Sequence, residues 1–479
     1  NPTDTKSLGI HFGFRYRVFG QVATRAPREL LAREAELLAK HASPSDFWAE
    51  IERRESSSPW QADLKSDLLP LGQDAALAAP LAAKFGDTAG VISGIRQHVE
   101  RILTALPENF PLQPNLGAAK VNGTTLPLHQ GPMAQVSDTP AFARAVVDAG
   151  SMPWLALGNM PAHVAEDVVW KTGEALEGKP FGAGIIGLDA NRYRDAHIEM
   201  LGRAAKVFPS MMALVAAGTA EQAMQLESLG VRTYLHTPTP GVLDAALKAG
   251  QRRFLFEGAE AGGHIGQIGG LALWQLCATT LQGFIDRGEV VASEVTILPA
   301  GGLSDAMSAA AASALFLPLI EQGVQFGIQM GTAYLMTSEA VTTGAITEMY
   351  QTVGAASQAT VVMGESVGAP TRVLPNRAAD TVAAAERNRM TSGVSLKERK
   401  EAYEHDNLGG LRAAAKAQKI ARVDPERGAI FQNLSWEEQE RDGLFHAGQG
   451  IALLEQTRSI ASLHAEVTQG ARDLVASRN

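Results

Sequence analysis

The sequence predicts an α/β protein: a (β/α)8 TIM barrel with an N-terminal helical extension and a C-terminal helical region. Three observations carry that prediction. Between Leu126 and Tyr350, short apolar runs alternate eight times with helix-period stretches, the mark of a parallel sheet with crossover helices. Those eight units occupy about 225 residues, close to the ~250 of a closed barrel. Glycine turns and ionisable side chains gather just beyond the apolar runs, at the strand ends where barrels carry their chemistry. An open doubly wound sheet is the alternative.

Taken in order, residues 1–118 read as a mostly helical extension that serves packing or docking. Pro27 to Lys40 places Leu30, Leu31, Ala35 and Leu38 on one face, with proline in the first turn. Ser45-Asp46 is placed to cap a second helix through Phe47, Trp48 and Ile51. Ser56-Ser57-Ser58-Pro59 reads as a turn or linker, and Val91 to Leu106 as a third helix. The barrel is expected over 119–358. Its strands are predicted at Leu126–His129, Trp154–Leu157, Phe181–Ile186, Met211–Val215, Thr233–Leu235, Phe254–Phe256, Val295–Leu298 and Val324–Met330. The matching helices begin near Pro140, Pro161, Tyr193, Ala220, Gly241, Leu271, Asp305 and Glu339. Beyond it, Ala359–Met363 and Thr371–Leu374 form a small extended excursion. The rest of 359–479 is helical and mixed in charge, interrupted at Leu408–Leu411 and Gly448–Gly450.

Composition narrows the function classes. A net charge of −9 argues against a nucleic-acid partner. The longest apolar stretch, Ser308 to Ile320, is shorter than the ~20 residues a membrane span requires. A single cysteine, Cys277, excludes an intrachain disulfide framework and suits a reducing, cytoplasmic compartment. The start, Asn1-Pro2-Thr3-Asp4, has no signal-peptide character and no initiating Met, as expected of a processed or excised piece.

The central motif is Phe254-Leu255-Phe256-Glu257-Gly258-Ala259-Glu260-Ala261-Gly262-Gly263-His264. A buried strand runs into a tight turn whose glycines, Gly262 and Gly263, admit close approach of a ligand. His264 at its mouth can exchange a proton near neutral pH. Glu257 reads as a hydrogen-bond acceptor for backbone or cofactor rather than an acid–base group. A second motif, Ile297 to Asp305, ends a strand in Ala300-Gly301-Gly302 and opens a helix with Ser304 and Asp305. Exposed N–H groups and the positive helix end there suit an anion. Strand eight ends in Met330-Gly331-Thr332, and phosphate binds barrels at strands seven and eight. After strand one, Gly131-Pro132-Met133 offers backbone and a soft side chain to a flat ring, or is a simple turn. Asn159 and His236 also fall at strand ends, as does His129. His236 is open between a substrate-side role and an oriented structural imidazole.

Other chemistries lack support. Gly182-Ala183-Gly184-Ile185-Ile186-Gly187 fits a dinucleotide fingerprint only in letters, since its glycines lie inside the apolar run. A glycine-bearing inner strand beside a cofactor fits better. No His/Cys spacing suits a metal, and Cys277 sits in a helical pattern as a buried thiol.

The stretches Glu257 to His264, Ala300-Gly301-Gly302 and Met330-Gly331-Thr332 resemble the flavin-binding motifs of the nitronate monooxygenase (2-nitropropane dioxygenase) superfamily. Phe254–Trp274, Leu315–Leu319, Gly331–Val341, Asn407–Arg412 and Gly443–Gln449 are more similar to its enoyl-reductase branch from polyketide and polyunsaturated fatty acid synthases. The resemblance spans roughly residues 120–465. It implies FMN on a TIM barrel, with phosphate at Gly301, Gly302, Gly331 and Thr332 and His264 at the flavin face. It implies reduction of enoyl thioesters on an acyl carrier protein, with NADPH as reductant, alongside other synthase components; a homodimer is possible. Many members of that branch carry cysteine where this chain has Ala261. Oxidation of nitronates with O2 is the rival activity, and a non-catalytic docking domain of a megasynthase the rival of another class.

Overall fold

Eight parallel strands close into a barrel in the computed structural model, which describes residues 5–13, 16–19, 25–55, 63, 66–68, 78–424 and 428–477. In chain order the barrel strands are β1 (Leu128–Gln130), β2 (Met152–Ala156), β3 (Phe181–Ile186) and β4 (Met211–Ala216). They continue as β5 (Arg232–His236), β6 (Arg253–Glu257), β7 (Thr296–Ala300) and β8 (Ile328–Met330). Each strand pairs with the next, and Gln329 pairs with His129 to close the ring. All eight predicted strand–helix units are thereby accounted for, with local departures. The predicted strand eight is split at Gly327 into Gln325–Phe326, which pairs with β7, and β8, which pairs along its length with β1; a Cβ at Gly327 would lie 2.6 Å from the Pro127 carbonyl. The predicted eighth helix is divided into Ser338–Thr342 and Glu348–Ala356, preceded by the short helix Thr332–Leu335.

Alternation along the strands divides the core in two. Outward residues such as Phe254, Phe256 and Ile297 pack under the helices. Inward residues, among them Trp154, Met212, Leu214, Tyr234, Leu255 and Leu298, fill the lumen. Gly182 lacks a side chain because the Trp154 ring fills that space. His129 belongs to this interior and not to the barrel mouth. Its Nδ1 accepts from Trp154 Nε1 at 3.0 Å, and Asn122 Nδ2 lies 2.9 Å from its Nε2. Asn122 ends the helix Gly117–Asn122, which the sequence reading passed over, and also donates to the Tyr234 hydroxyl at 2.9 Å. Complete burial pulls His129 down to about 3, so it is a neutral structural imidazole.

The extension is helical at Arg25–Ala39, Pro44–Glu52, Ala78–Phe85 and Thr88–Glu108. Ser43, not Ser45, caps the second helix, in a capping box with Asp46 that leaves Pro44 at the first helical position. The expected Ser56–Pro59 linker lies outside the described residues. An unforeseen hairpin pairs Thr5–Leu8 with Tyr16–Phe19, and with the first two helices encloses a small separate core of Leu8, Phe12, Val18, Leu30, Phe47 and Ile51. After the barrel, Val361–Met363 and Thr371–Val373 pair antiparallel, as the extended excursion anticipated. Glu386, buried, accepts from the N–H groups of Gly364 and Ser366 at 2.9 and 3.1 Å and fixes the connection between those strands. A further hairpin, Gln418–Asp424 with Gly428–Asn433, interrupts the helices of the C-terminal region. Among the described residues no helix is long and apolar enough to cross a membrane.

Candidate active site

Side-chain period two decides what stands at the C-terminal rim of the lumen. Tyr234 faces inward on β5, so His236, two residues on, shares that face; Leu255 does the same for Glu257 on β6. Both lie in the top layer, on adjacent strands. Burial lowers His236 to about 4 and raises the Glu257 carboxyl to about 7. Neutral His236 and a readily protonated Glu257 are the forms this layer favours. Glu257 is therefore as fit to donate a hydrogen bond as to accept one, which extends the acceptor role expected from sequence.

Around this layer run the predicted glycine turns. Gly131 N–H donates to Met330 O at 2.8 Å, which ties the β1 turn to the end of β8. A Cβ on Gly331 would lie 3.6 Å from Met133 Sδ, and one on Gly184 would lie 2.8 Å from Pro132 Cβ. Gly131, Pro132, Met133, Met330 and Gly331 are thus one neighbourhood, with the glycines of β3 beneath it. Gly301 and Gly302 adopt consecutive left-handed conformations, φ 89 and 74°, which strain any residue with a Cβ. They follow Ala300 and turn the chain into the helix Ala306–Ile320, capped by a box of Asp305 and Ser308. Asp305 alone is the N-cap; the Ser304 hydroxyl is buried without a partner. The Thr332 hydroxyl accepts from Gly448 N–H at 2.8 Å, a contact no local pattern announces. Asn159 is not drawn into this group: it stands exposed in the turn after β2.

The turn after β6 holds His264 at the mouth. Gly263 and His264 form a two-residue strand paired with Arg372 and Thr371, and Ile265 N–H donates to Pro370 O at 3.0 Å. Glu260 accepts from Gly270 N–H at 2.7 Å, at the start of the helix Gly270–Asp286, and so supports that helix end. Gln449 N–H donates to Glu260 O at 2.8 Å. A Cβ on Gly262 would lie 2.6 Å from the Ala447 carbonyl carbon, and one on Gly263 3.3 Å from His446 Nδ1. The close approach these glycines permit is occupied by the chain's own C-terminal segment. His264 is exposed, yet the surrounding protein still holds its pKa below the ordinary value by desolvation. His446 beside it falls to about 4, chiefly through burial and secondarily through the charge His264 can carry. The N-terminal extension reaches the same turn, where Arg17 Nη2 donates to Gln267 O at 3.1 Å.

His446, Arg372 and Gln329 escaped the sequence reading as site residues. The similarity of Gly443–Gln449 to a family motif was the one available signal for His446. Gln329 alternates inward on β8, which a strand assignment alone could have shown. Cys277 is buried with its thiol pushed far up by desolvation, as its helical setting predicted, and takes no part.

A flavin mononucleotide fits what is present. His236 Nε2 and Gln329 Oε1 are buried polar atoms without a protein partner, on β5 and β8. Such atoms are costly unless a ligand or water satisfies them. The left-handed glycines and the helix behind them present N–H groups suited to a phosphate.

Comparison with known proteins agrees. A search of curated protein sequences finds no match. FabK from Thermotoga maritima superposes with a TM-score of 0.58 at 21% identity, over 75% of this chain and 97% of that one. The enoyl reductase domain of MlnA, from the macrolactin biosynthesis cluster of Bacillus amyloliquefaciens, gives 0.59 at 11% identity, over 76% and 99%. Nitroalkane oxidase from Streptomyces ansochromogenes gives 0.51 at 20%, over 75% and 99%. At these identities the likeness establishes the shared fold. The sequence profile of nitronate monooxygenase matches residues 118–470, most of the chain, and the chain therefore belongs to the nitronate monooxygenase family of FMN-dependent oxidoreductases.

Proposed function

We propose that this protein is an enoyl reductase that saturates α,β-unsaturated acyl thioesters held on an acyl carrier protein, with NADPH as reductant, in cytoplasmic polyketide or fatty acid assembly. The observation that carries the proposal is an exposed His264 held by the Thr371–Arg372 strand on the turn that follows β6, the strand whose last residue, Glu257, burial raises to about 7. FMN would be held by Gly301, Gly302, Gly331 and Thr332 at its phosphate. Its ring would lie against Gly131–Met133, His236 and Gln329. When bound, the flavin supplies the electron pair that saturates the double bond.

The remaining work falls to the protein. Neutral His264 keeps one N–H to donate to the thioester carbonyl oxygen as negative charge builds there. Its exposure keeps the mouth open to water, which supplies the proton taken by the α-carbon, while the His264 N–H stays in place. Glu257, poised near neutrality in the top layer, holds a proton without the cost of a buried charge. The neighbouring MlnA enoyl reductase domain supports this reading by its name.

Oxidation of nitronates is the second reading, favoured by the family description and the nitroalkane oxidase neighbour. The test mixes reduced, FMN-loaded protein anaerobically with an enoyl thioester and follows the flavin spectrum. Reoxidation supports the reductase. Its absence, together with oxygen-dependent turnover of a nitronate, selects the oxidase. In either case His264→Ala should lose turnover while retaining flavin.

A further inference from the structure

The turn that carries His264 has backbone bonds of its own near its start, Ala261 N–H to Gly258 O at 3.2 Å and Ala259 N–H to Ile268 O at 2.9 Å, but its far end does not share them. It holds two adjacent glycines, one of them left-handed, and ends in a strand of only two residues. Glycine-rich backbone of this kind has many conformations to lose. Its shape is imposed from elsewhere, and Arg372 acts on it twice. Through its backbone Arg372 pairs with Gly263, in a ladder whose next rung joins Thr371 to His264. Through its side chain it returns to the start of the same turn. Nη2 and Nε donate to Ala259 O at 2.8 and 3.2 Å, while Nη1 donates to Thr360 Oγ1 at 2.8 Å. Arg372 is 7% exposed, so these bonds are made largely away from water, where they hold most strongly. One residue thus grips both ends of the Ala259–Gly263 turn. The strand that carries it is anchored in turn by the Glu386 contacts described above.

We propose that Arg372 is a positioning residue for His264: by clasping Ala259 and pairing with Gly263 it fixes the turn in the shape that presents the imidazole at the barrel mouth. A planar fork is required for the two-nitrogen grip on one carbonyl, and a lysine ammonium cannot reproduce it. This rests on the reading of His264 as the working group, but not on which substrate it serves.

The experiment uses the full chain loaded with FMN, as wild type, Arg372→Lys and Arg372→Ala. The first readout needs no substrate. The rate at which diethyl pyrocarbonate modifies His264 is followed by mass spectrometry of the peptide that contains it. The second is kcat and KM in flavin reoxidation by an enoyl thioester. Both variants should retain FMN and change the His264 modification rate severalfold. Their kcat should fall by roughly ten- to a hundredfold with KM little changed, the scale expected when a reacting group is misplaced by about 1 Å. Added guanidinium ion should restore part of the lost kcat in Arg372→Ala and none in Arg372→Lys, where the side chain fills the space. A modification rate and kcat within about twofold of wild type in both variants would overturn the proposal, as would a loss of kcat that guanidinium leaves untouched while the modification rate is normal. If Arg372→Ala does not fold, Arg372→Lys decides by the same two readouts. Wild type that fails to turn over the thioester would refute the reductase reading alone; the modification rates would still decide the role of Arg372.

Discussion

Replacing Gly262 with alanine tests the seat of the C-terminal segment on the His264 turn. The new Cβ would lie 2.6 Å from Ala447 C and 2.7 Å from both Ala447 Cα and Gly448 N. Ordinary contact begins at 3.4 Å, so a gap of 0.8 Å must open. All three obstacles are main-chain atoms, and no rotamer change can relieve them. Overpacking of this kind costs about 1–3 kcal/mol. The opening also stretches the bonds from Gln449 N–H to Glu260 O and from Gly448 N–H to Thr332 Oγ1, both 2.8 Å. Each is worth about 1 kcal/mol. With both bonds broken, Gly262→Ala should therefore lose about 3–5 kcal/mol in urea unfolding of the flavin-free chain. Because the displacement approaches 1 Å beside His264, turnover should fall by about a hundredfold in the anaerobic flavin assay. A variant with stability within about 0.5 kcal/mol and turnover within about twofold of wild type would refute the reasoning, since the two segments would then not be in contact.

Gly301→Ala places a Cβ at φ 89° and 3.0 Å from Gly258 N and O, so FMN affinity should drop by about tenfold or more, read by flavin fluorescence; an unchanged Kd would remove this turn from the cofactor site. Trp154→Phe removes the donor to His129 Nδ1 and should cost about 1–3 kcal/mol in urea unfolding, with FMN affinity unaltered. His236 and His446 each sit near 4 when folded against 6.5 unfolded. The unfolded chain therefore takes up their protons first, and stability of the flavin-free chain should fall as pH drops from 6.5 towards 4, by up to about 3 kcal/mol per histidine. His446→Gln should flatten that slope, and an identical slope in the variant would show that His446 is not held neutral.

The barrel was legible because strands buried on both faces are uninterrupted apolar runs, and Phe254–Phe256 or Met211–Val215 cannot be mistaken for solvated helix faces. Glycine turns after β1, β6, β7 and β8 were legible for a related reason: backbone conformations such as those of Gly301 and Gly302 leave a mark in residue type. His129 was read as a strand end because an end judged from apolarity is uncertain by a residue or two; β1 runs on to Gln130, and His129 faces the lumen within it. Arg372 and His446 left no comparable mark. An arginine that hydrogen-bonds a carbonyl 113 positions away looks in sequence like any surface arginine. The N-terminal hairpin was missed because Thr5–Leu8 and Tyr16–Phe19 are each only four residues long, too short to establish a period.

The reach of the C-terminal segment back to β6 also sets a timetable for synthesis. Barrel closure waits for Gln329 to meet His129, but the His264 turn acquires its ladder only with Arg372 and its last backbone partners only with Gly448 and Gln449. A ribosome adding ~5–20 residues per second leaves roughly 6–24 s between the emergence of β8 and of those partners. During that interval the mouth has its glycine turns but not the wall behind Gly262. A chain in this state has a closed barrel whose His264 turn still lacks both its strand partner and its C-terminal backing.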